Sequence, residues 1–384
     1  MPEGLDLAAS LLGASGPWSA EDDDALVCRA VRDETHDVRT FVLAPPKPSR
    51  FAYRPGQFLT FAFEIGGETV HRCYTVASAP TRPDTVSITV KRVPGGPVSN
   101  WLHDTLRPGG TVRALGPMGE FSCFPPPPHA GAAGGADPAP RYLFLSGGSG
   151  VTPLMSMARS FHDLGVQRDV VFVHGARTPA DIVFRAELGL MAAASPAFRF
   201  VPVCEADAPR EPWTGLRGRI SAAMLELIAP DFRAREVFVC GPAPFMAAIR
   251  DILRTVGFDM ARHHEESFDF AELSRAEKAE ALEAEAELDA APPALPLKLF
   301  TVEFARTKRS VEVREDQTVL DAARRQGIRL PSSCTKGICG TCKSKILSGT
   351  VAMSHAGGIR QREIDAGMAL LCCSKPTSDL VVER

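Results

Sequence analysis

Residues able to bind metal are densest near the carboxyl terminus, which holds five of the ten cysteines in the chain. Cys334, Cys339 and Cys342 are separated by four and two residues, and Cys372 follows thirty positions after Cys342. Thiolates are strong ligands for soft metals, so three of them in one short loop indicate a loop folded around a metal centre. The spacing therefore predicts a site with four thiolate ligands.

The pattern C-x4-C-x2-C with a distant fourth cysteine is the plant-type arrangement that holds a [2Fe-2S] cluster. Gly337 and Gly340 favour it, because glycine lets the amide groups of the loop approach the sulfurs closely. The alternatives are a structural zinc site, which usually has paired C-x2-C motifs, and a thiol cluster without metal. Cys373 adjoins Cys372, but the spacing and the preceding GMALL favour Cys372 as the fourth ligand.

A second group of functional side chains closes a predicted strand at His71-Arg72-Cys73-Tyr74-Thr75. Since side chains alternate along a strand, Arg72 is placed to reach a phosphate while Tyr74 packs along a flat ring system. We predict a flavin site here, with Cys73 in the binding segment and Thr75 beside the reactive flavin N5. An ordinary barrel strand with a surface arginine is the alternative.

A glycine turn, Gly95-Gly96-Pro97-Val98-Ser99-Asn100, follows another strand and precedes the helical stretch NWLHDTL. Backbone N–H groups and a hydroxyl at the start of a helix bind pyrophosphate, so Gly96, Val98 and Ser99 are candidate phosphate ligands. The alternative is a hairpin turn in which Ser99 caps the helix. One serine is able to serve both roles.

A second glycine turn follows the strand YLFLS and has the sequence GGSGVTP, residues 147–153. Strand, glycine turn and helix in that order bind the pyrophosphate of dinucleotides. The turn departs from G-x-G-x-x-G by ending in proline, which suits the first turn of a helix. Gly148, Gly150, Thr152 and Pro153 are therefore candidate dinucleotide ligands.

Two further segments follow predicted parallel strands, at the sheet edge where ligands bind. Cys240-Gly241-Pro242 follows EVFV, and we expect Cys240 beside a nicotinamide ring, with a buried thiol as the alternative. Arg177 and Asp181 follow DVVFVHGA, where the adenosine ribose is expected. An arginine there favours a 2′-phosphate and an acid favours a free 2′-hydroxyl, so NADH and NADPH both stay open.

The elements that position these residues fall into three modules. Residues 25–124 alternate apolar and polar between Pro and Gly turns, which predicts an antiparallel barrel. Residues 141–268 alternate short apolar strands with helical stretches, which predicts a parallel sheet covered by helices. Residues 298–384 open with two strands and a helix that begins near Thr318.

The segments outside these modules differ in composition. Residues 125–140 are rich in Pro, Gly and Ala and predict a linker, residues 269–297 predict an acidic tether, and residues 1–24 are a tail. Residues 298–384 carry 15 basic residues against 9 acids, whereas residues 265–289 carry ten acids against two basic residues. A basic final module favours an acidic partner protein, and without an RNA-binding or zinc-finger motif it does not favour nucleic acid.

Length and composition set further limits. The 384 residues, 45% hydrophobic and 23% charged, suit two or three globular domains and exclude the disordered and collagen-like classes. No apolar run approaches the roughly 18 residues of a membrane helix, and the start is acidic where a signal peptide is basic. We expect a cytoplasmic protein, in which the scattered cysteines are buried thiols: Cys28, Cys73, Cys123, Cys204 and Cys240.

In these motifs and in their order, the chain resembles ferredoxin-NADP reductase-like flavin oxidoreductases with a carboxy-terminal plant-type ferredoxin domain. The resemblance covers roughly residues 25–384. It implies an antiparallel β-barrel that binds FAD, a Rossmann-like α/β domain for the nicotinamide coenzyme and a β-grasp α+β domain for the [2Fe-2S] cluster. The residues that match the family motifs are Arg72, Tyr74 and Thr75 for flavin, Gly96 and Ser99 for its phosphates, Gly148, Gly150 and Pro153 for the dinucleotide, and Cys240, Gly241 and Pro242 beside the hydride-transfer site.

The stretches DETHDVRTF, HRCYTVASAP and GARTPADIVFRAEL are similar to the reductase components of glycine betaine and stachydrine demethylases, which supply Rieske-type oxygenases. Hybrid-cluster protein reductases and phenylacetyl-CoA epoxidase reductases are similar as well. The resemblance implies an NAD(P)H-dependent reductase, with NADH favoured, that passes single electrons to an oxygenase. From its composition alone, we expect the long acidic tether to let the basic final module swing between flavin and partner. A reductase for a hybrid-cluster protein or a di-iron oxygenase is one alternative, and a redox-sensing iron-sulfur protein is another.

Overall fold

The structure is a computed structural model and describes residues 16–20, 22–125, 140–266, 298–328, 330, 337, 340, 342–355 and 358–384. Most of the predicted tail, linker and tether lies outside the described residues, as do Cys334 and Cys339. Below, residues 16–125 are the N-terminal module, residues 140–266 the middle module and residues 298–384 the C-terminal module. No helix in the described ranges combines the length and the apolar character needed to cross a membrane.

An antiparallel sheet of six strands forms the N-terminal module, in the order β4-β3-β6-β1-β2-β5. Within the described residues its edge strands meet at one bridge, between Val76 and Ile88, so the predicted closure into a barrel is limited to that contact. Pairing between the two edge strands does not extend further, because Val76 already lies beyond Thr75, the last residue of β4. The elements are β1 Ala25–Asp33, β2 Val38–Ala44, β3 Phe58–Ile65, β4 Glu68–Thr75, β5 Val86–Lys91, α1 Pro97–Thr105 and β6 Thr111–Met118.

A parallel sheet of six strands forms the middle module, in the order β10-β9-β8-β7-β11-β12. Its central strands are continuous apolar runs, as expected of strands that helices cover on both faces. The elements are β7 Tyr142–Gly147, α2 Val151–Asp163, β8 Val170–Ala176, α3 Arg185–Ala194, β9 Phe198–Cys204, β10 Leu216–Arg217, α4 Ala222–Ile228, β11 Glu236–Cys240, α5 Ala243–Thr255 and β12 His263–Glu266.

A mixed five-stranded sheet, in the order β14-β13-β19-β15-β17, forms the C-terminal module. The predicted helix begins at Val319, where the Thr318 side chain caps it by accepting a hydrogen bond from the N–H of Asp321. The elements are β13 Leu299–Phe304, β14 Arg309–Arg314, α6 Val319–Arg325, β15 Lys343–Ser348, β16 Val351–Met353, α7 Gln361–Asp365, β17 Met368–Leu370, β18 Ser374–Pro376 and β19 Leu380–Val382.

The hydrophobic cores divide unevenly among the modules. One core is shared, because Ala77 and Phe121 of the N-terminal module are buried together with Tyr142 and Phe238 of the middle module. The core of the C-terminal module contains residues from that module alone. The first two modules therefore fold against each other as one body, whereas the third has a core of its own.

Candidate functional site

A cleft of about 370 Å³ collects the residues predicted to bind flavin. It lies where β4 ends, beside the start of α1 and the glycine turn that opens α2. We call it the β4 cleft. The predicted site residues that line it are Arg72, Cys73, Tyr74, Thr75, Gly96, Val98, Ser99 and Thr152.

Thr75 contributes an unsatisfied hydroxyl to this cleft. Its Oγ1 is buried and has no hydrogen-bond partner among the described residues. An unpaired buried polar group costs about 1–3 kcal/mol, so a ligand atom that bonds to it would remove that cost. Beside it the Tyr74 ring packs on Phe61 and Phe63, with ring centroids 6.1 and 6.4 Å away, and Arg72 is exposed. A fixed aromatic ring, an unpaired hydroxyl and an exposed cation fit a flavin and its phosphates.

Helix α1 begins at Pro97, earlier than the sequence predicted, because proline needs no hydrogen-bond acceptor in a first helical turn. Gly96 is the N-cap, so Ser99 does not cap the helix. Instead, the Ser99 hydroxyl accepts a hydrogen bond from the Val93 N–H at 3.1 Å and donates one to the Gly96 carbonyl at 3.3 Å. These bonds fix the turn, and the N–H groups of Val98 and Ser99 at the helix start stay available for an anion.

A second cleft, of about 330 Å³, lies at the carboxyl edge of the parallel sheet. We call it the sheet-edge cleft. The predicted residues Gly148, Arg177 and Pro242 line it. The Phe245 ring packs against the backbone of Gly147 and Gly241. A Cβ added at Gly147 would lie 3.0 Å from that ring, and one added at Gly241 would lie 2.7 Å from it. Glycine at these positions leaves room for the ring and for a dinucleotide backbone.

The two clefts adjoin, because Lys91 and Ser149 line both of them. Groups bound in the two clefts are thus placed side by side, as a transfer between two bound molecules requires. Lys91 and Asp37 reach the sheet-edge cleft from the N-terminal module. Sequence reasoning missed both residues, and no local motif marks them, because only the packing of two modules brings them to this cleft.

Cys240, predicted to act beside the nicotinamide, is fully buried and lines neither cleft. A Cβ at Gly150 would lie 2.3 Å from the Cys240 carbonyl oxygen, so the glycine turn rests directly on this segment. Burial raises the pKa of the Cys240 thiol well above its ordinary value, which keeps it protonated. Gly150, Pro153 and Gly241 likewise lie outside the lining of both clefts, and their roles stay predictions.

The described residues include two of the four predicted cluster ligands, Cys342 and Cys372. Both side chains are buried in the core of the C-terminal module. The N–H of Leu371 donates to the Cys342 carbonyl at 3.4 Å, so the segments that carry the two thiols lie side by side.

The two glycines of the cysteine loop explain its close packing. Gly337 and Gly340 have φ angles of +70° and +72°, a region that favours glycine. A Cβ at Gly337 would lie 2.8 Å from the Cys373 Sγ, and one at Gly340 would lie 2.9 Å from the Gly358 carbonyl oxygen. Close approach at both glycines, beside the buried thiols of Cys342 and Cys372, fits a [2Fe-2S] cluster. Cys334 and Cys339 as its other two ligands stay a prediction.

Glu266 is a buried carboxyl at the end of the middle module, where sequence reasoning weighed an approach to the flavin and favoured plain packing. It ends β12 and pairs across the ladder with Cys240. The residue as a whole is partly exposed, but its Oε2 is buried and has no hydrogen-bond partner among the described residues. Burial raises the pKa of Glu266 to about 8. Its place beside Cys240 follows from strand pairing, which no local pattern reveals.

Comparison with known proteins gives three domain matches along the chain. Residues 26–123 match the oxidoreductase FAD-binding domain, residues 144–251 the oxidoreductase NAD-binding domain, and residues 302–377 the 2Fe-2S iron-sulfur cluster binding domain. FAD, a nicotinamide coenzyme and a [2Fe-2S] cluster are therefore the cofactors. The predicted order of an antiparallel FAD-binding module, a parallel-sheet nicotinamide module and a 2Fe-2S module is confirmed, but a closed barrel is not.

Two relatives match over nearly the whole chain. The glycine betaine monooxygenase reductase subunit of Chromohalobacter salexigens is 45% identical, over 93% of this chain and 94% of the relative. The stachydrine N-demethylase reductase subunit of Rhizobium meliloti is 39% identical, over 95% and 97%. Among solved structures, phthalate dioxygenase reductase matches with a TM-score of 0.54 at 23% identity, over 96% of this chain and all of that one.

Proposed function

Because this chain belongs to the family of FAD- and [2Fe-2S]-containing reductase components of oxygenase systems, we propose that its partner is a Rieske-type oxygenase that demethylates a quaternary amine. In this role the chain takes electrons from NADH and passes them singly to that oxygenase. The two relatives that match nearly the whole chain carry the choice of partner. The junction of the two clefts at Lys91 and Ser149, on a chain that also holds the cysteine loop, supports the electron path.

The flavin, when bound, accepts two electrons as hydride and releases them one at a time, which suits a cluster that accepts only one. The protein's own residues orient this exchange. Thr75 and Tyr74 hold the flavin ring at the end of β4, Arg72 and the turn at Gly96 and Ser99 hold its phosphates, and the glycine turn at Gly148 holds the dinucleotide. A plant-type cluster lies near about −400 mV, so transfer to a Rieske centre of higher potential runs downhill.

Among the described residues, the three cations that line the sheet-edge cleft are all paired with its acids, which favours NADH over NADPH. Lys91 lies 3.2 Å from Asp37, and Arg219 lies 3.8 Å from Glu205. The Arg177 guanidinium lies 3.1 Å from Asp181 and 3.5 Å from Asp37, so two carboxylates already neutralise it. Glu205 lines the same cleft. A 2′-phosphate would meet these acids, whereas a free ribose hydroxyl can donate a hydrogen bond to one of them. Arg177 and Asp181, which in the sequence were compatible with either coenzyme, thus favour NADH.

The partner is proposed to be acidic where it docks. The C-terminal module carries 15 basic residues against 9 acids, and that excess attracts an acidic surface and repels a basic one.

An anaerobic titration of the purified protein with NADH, and separately with NADPH, tests the electron path. We expect NADH to bleach the flavin first and the visible bands of the cluster second, at about one flavin and two irons per chain. Adding purified Rieske oxygenase, hybrid-cluster protein or di-iron oxygenase then separates the possible partners. An intact cluster that neither coenzyme reduces would contradict the reductase and favour a redox sensor.

A further inference from the structure

A buried ion pair joins the C-terminal module to the N-terminal module. The Arg360 Nη1 donates to the Asp24 Oδ2 at 2.6 Å, and the Arg360 Nη2 donates to the Ala114 carbonyl at 3.1 Å. The side chains of Arg360 and Asp24 are only 7% and 12% exposed, although 336 positions separate them in the chain. This contact therefore fixes how the third module sits on the first.

Two more arginines surround the same carboxylate, one from each module. Arg113 lies 2.9 Å from the Asp24 Oδ2, and Arg362 lies 3.6 Å from it. Burial alone would raise the pKa of Asp24, but the hydrogen bonds from Arg113 and Arg360 outweigh it, so that pKa lies below its ordinary value. Asp24 is thus held ionised beside three guanidinium groups, in a polar cleft of about 400 Å³ between the modules that Asp22, Asp23 and Glu363 also line.

Arg360 lies directly behind the cysteine loop. Two residues before it, the Gly358 N–H donates to the Gly337 carbonyl at 2.9 Å, and the Gly358 carbonyl packs against Gly340. Lys343, which follows the predicted ligand Cys342, lies close enough to His71 of β4 for its charge to affect the pKa of that side chain. Burial first and the charge of Lys343 second lower the pKa of His71 to about 4. The ion pair therefore holds the part of the C-terminal module around Lys343 and Gly358 near β4, the strand that carries Arg72, Tyr74 and Thr75.

Two features of the contact between the C-terminal and N-terminal modules suit a contact that forms and breaks. The hydrophobic core of the C-terminal module is separate, so undocking exposes no shared core. The Arg360 Nε is buried and has no hydrogen-bond partner among the described residues, so the docked state leaves one polar group unsatisfied. Released from Asp24, the Arg360 guanidinium would need another carboxylate, and its planar fork fits one well.

We propose that Asp24 and Arg360 form a reversible latch, and that Arg360 with Arg362 is also the contact for acidic groups of the electron-accepting protein. Docking on the flavin sheet and docking on the partner then exclude each other, because both need the same arginines. In the latched state the cluster receives one electron from the reduced flavin, and in the released state it passes that electron to the acceptor. The partner half of this inference rests on the proposed function.

Two variants separate the two roles of the latch. Asp24→Asn weakens docking on the flavin sheet but leaves the arginines for the partner, whereas Arg360→Gln removes both contacts. In anaerobic stopped flow with NADH, we expect the flavin to bleach at the wild-type rate in both variants. Cluster reduction should slow by about tenfold in each, since one partner of a buried pair is lost.

A protein acceptor provides the second readout. Cytochrome b5, an acidic one-electron haem protein, serves as the probe. Cytochrome c, which is basic, serves as the comparison acceptor of opposite charge. Arg360→Gln should raise the KM for cytochrome b5 about tenfold, as expected when a charged contact is lost, and Asp24→Asn should not raise it.

Arg314→Gln is the matched control, because Arg314 pairs with Asp316 on the surface of the same module and should change neither rate nor KM. Wild-type cluster reduction in Asp24→Asn would overturn the latch, and so would an unchanged KM for cytochrome b5 in Arg360→Gln. If NADH reduces no cluster even in the wild-type protein, the proposed function fails, and that result is distinct from a failure of the latch.

Discussion

The two joints of the N-terminal module are built from different interactions. Its joint to the middle module has a shared apolar core, in which Phe121 packs edge-on against Phe238 with ring centroids 5.4 Å apart. Hydrogen bonds reinforce it, since the Ser156 hydroxyl donates to the Ser78 carbonyl and Arg159 donates to the Ala77 carbonyl, each at 2.6 Å. Its joint to the C-terminal module is ionic and centres on Asp24 and Arg360.

The difference matches what each joint must transmit. Hydride transfer makes and breaks bonds, so the two clefts must keep their reacting groups in contact. An electron needs no bond between donor and acceptor, so the third module is free to occupy two positions. An apolar joint suits the first demand, and a pair of charges that a partner can replace suits the second.

Two buried carboxyl groups make the same contrast at the level of single residues. Glu266 lies beside the apolar joint, and burial raises its pKa to about 8. Asp24 lies in the ionic joint, where burial opposes ionisation but hydrogen bonds from arginines bring its pKa below the ordinary value. The carboxyl without a nearby cation keeps its proton at neutral pH, and the one among arginines does not.

The largest expected effect comes from removing the cluster that the ionic joint presents to the flavin. Cys372→Ala should lose its iron and sulfide, because a thiolate ligand is gone, and should abolish electron transfer to cytochrome b5. NADH should still bleach the flavin, since both clefts are untouched. Metal analysis and stopped-flow absorbance measure these results.

Cys373→Ala is the matched control and should keep its cluster. The Cys373 Sγ donates to the Leu370 carbonyl at 3.6 Å and packs on Gly337, which gives it a structural position beside the loop. If Cys373→Ala lost the cluster and Cys372→Ala kept it, the fourth ligand would be Cys373.

A second prediction breaks the apolar joint. Phe121→Ala should lower the free energy of unfolding by about 3–5 kcal/mol, because it leaves a cavity between the first two modules. Flavin bleaching by NADH should slow as well, while the visible bands of the cluster should not change. Denaturant unfolding and stopped flow provide the measurements.

Leu190→Ala is the control for that variant, because Leu190 belongs to the same body but is 71% exposed. Its effect should stay within about 0.5 kcal/mol. An equally small loss in Phe121→Ala would show that the apolar core does not hold the joint.

Sequence reasoning predicted the features that local patterns encode. The period of the apolar residues predicted the strands around Arg72 and Tyr74, and the spacing of the cysteines predicted the loop that carries Cys342. These patterns follow from backbone geometry and ligand chemistry, which act over a few residues. The residues predicted to bind flavin accordingly line one cleft.

Sequence reasoning did not predict the features that depend on tertiary packing. Asp24 and Arg360 are ordinary charged residues in the sequence, and only the docking of two modules makes them a pair. Lys91 and Asp37 reach the sheet-edge cleft for the same reason. Ser99 has the residue type of a helix cap, yet Pro97 starts the helix earlier and gives the capping position to Gly96.

A third prediction measures the cost of charge beside the apolar joint. Between pH 4.5 and about 8, folded Glu266 keeps its proton while the unfolded chain loses it, so the unfolded state binds fewer protons. Its contribution to stability therefore falls as pH rises through this window, by at most about 1.4 kcal/mol per pH unit. Glu266→Gln should remove this dependence on pH. Between pH 5 and pH 7 the wild-type protein should therefore lose up to about 3 kcal/mol more of its free energy of unfolding than the variant does.

Denaturant unfolding at several pH values tests this prediction, with Glu226→Gln as the control. Glu226 is exposed and pairs with Arg233, so its replacement should leave the slope as in the wild-type protein. The same slope in Glu266→Gln as in the wild type would mean that Glu266 ionises freely in the fold.

The smallest expected effect concerns one of the ion pairs that cross the apolar joint. Arg82 of the N-terminal module lies 2.6 Å from Asp163 of the middle module, but the Arg82 side chain is 64% exposed. The Asp163 side chain is only 13% exposed and accepts two hydrogen bonds from Arg82. Because one partner is exposed, a double-mutant cycle of Arg82→Gln and Asp163→Asn should give a coupling energy of about 1 kcal/mol. Flavin bleaching should keep its wild-type rate. A coupling energy above about 2 kcal/mol would contradict the comparison, because ion pairs would then hold both joints.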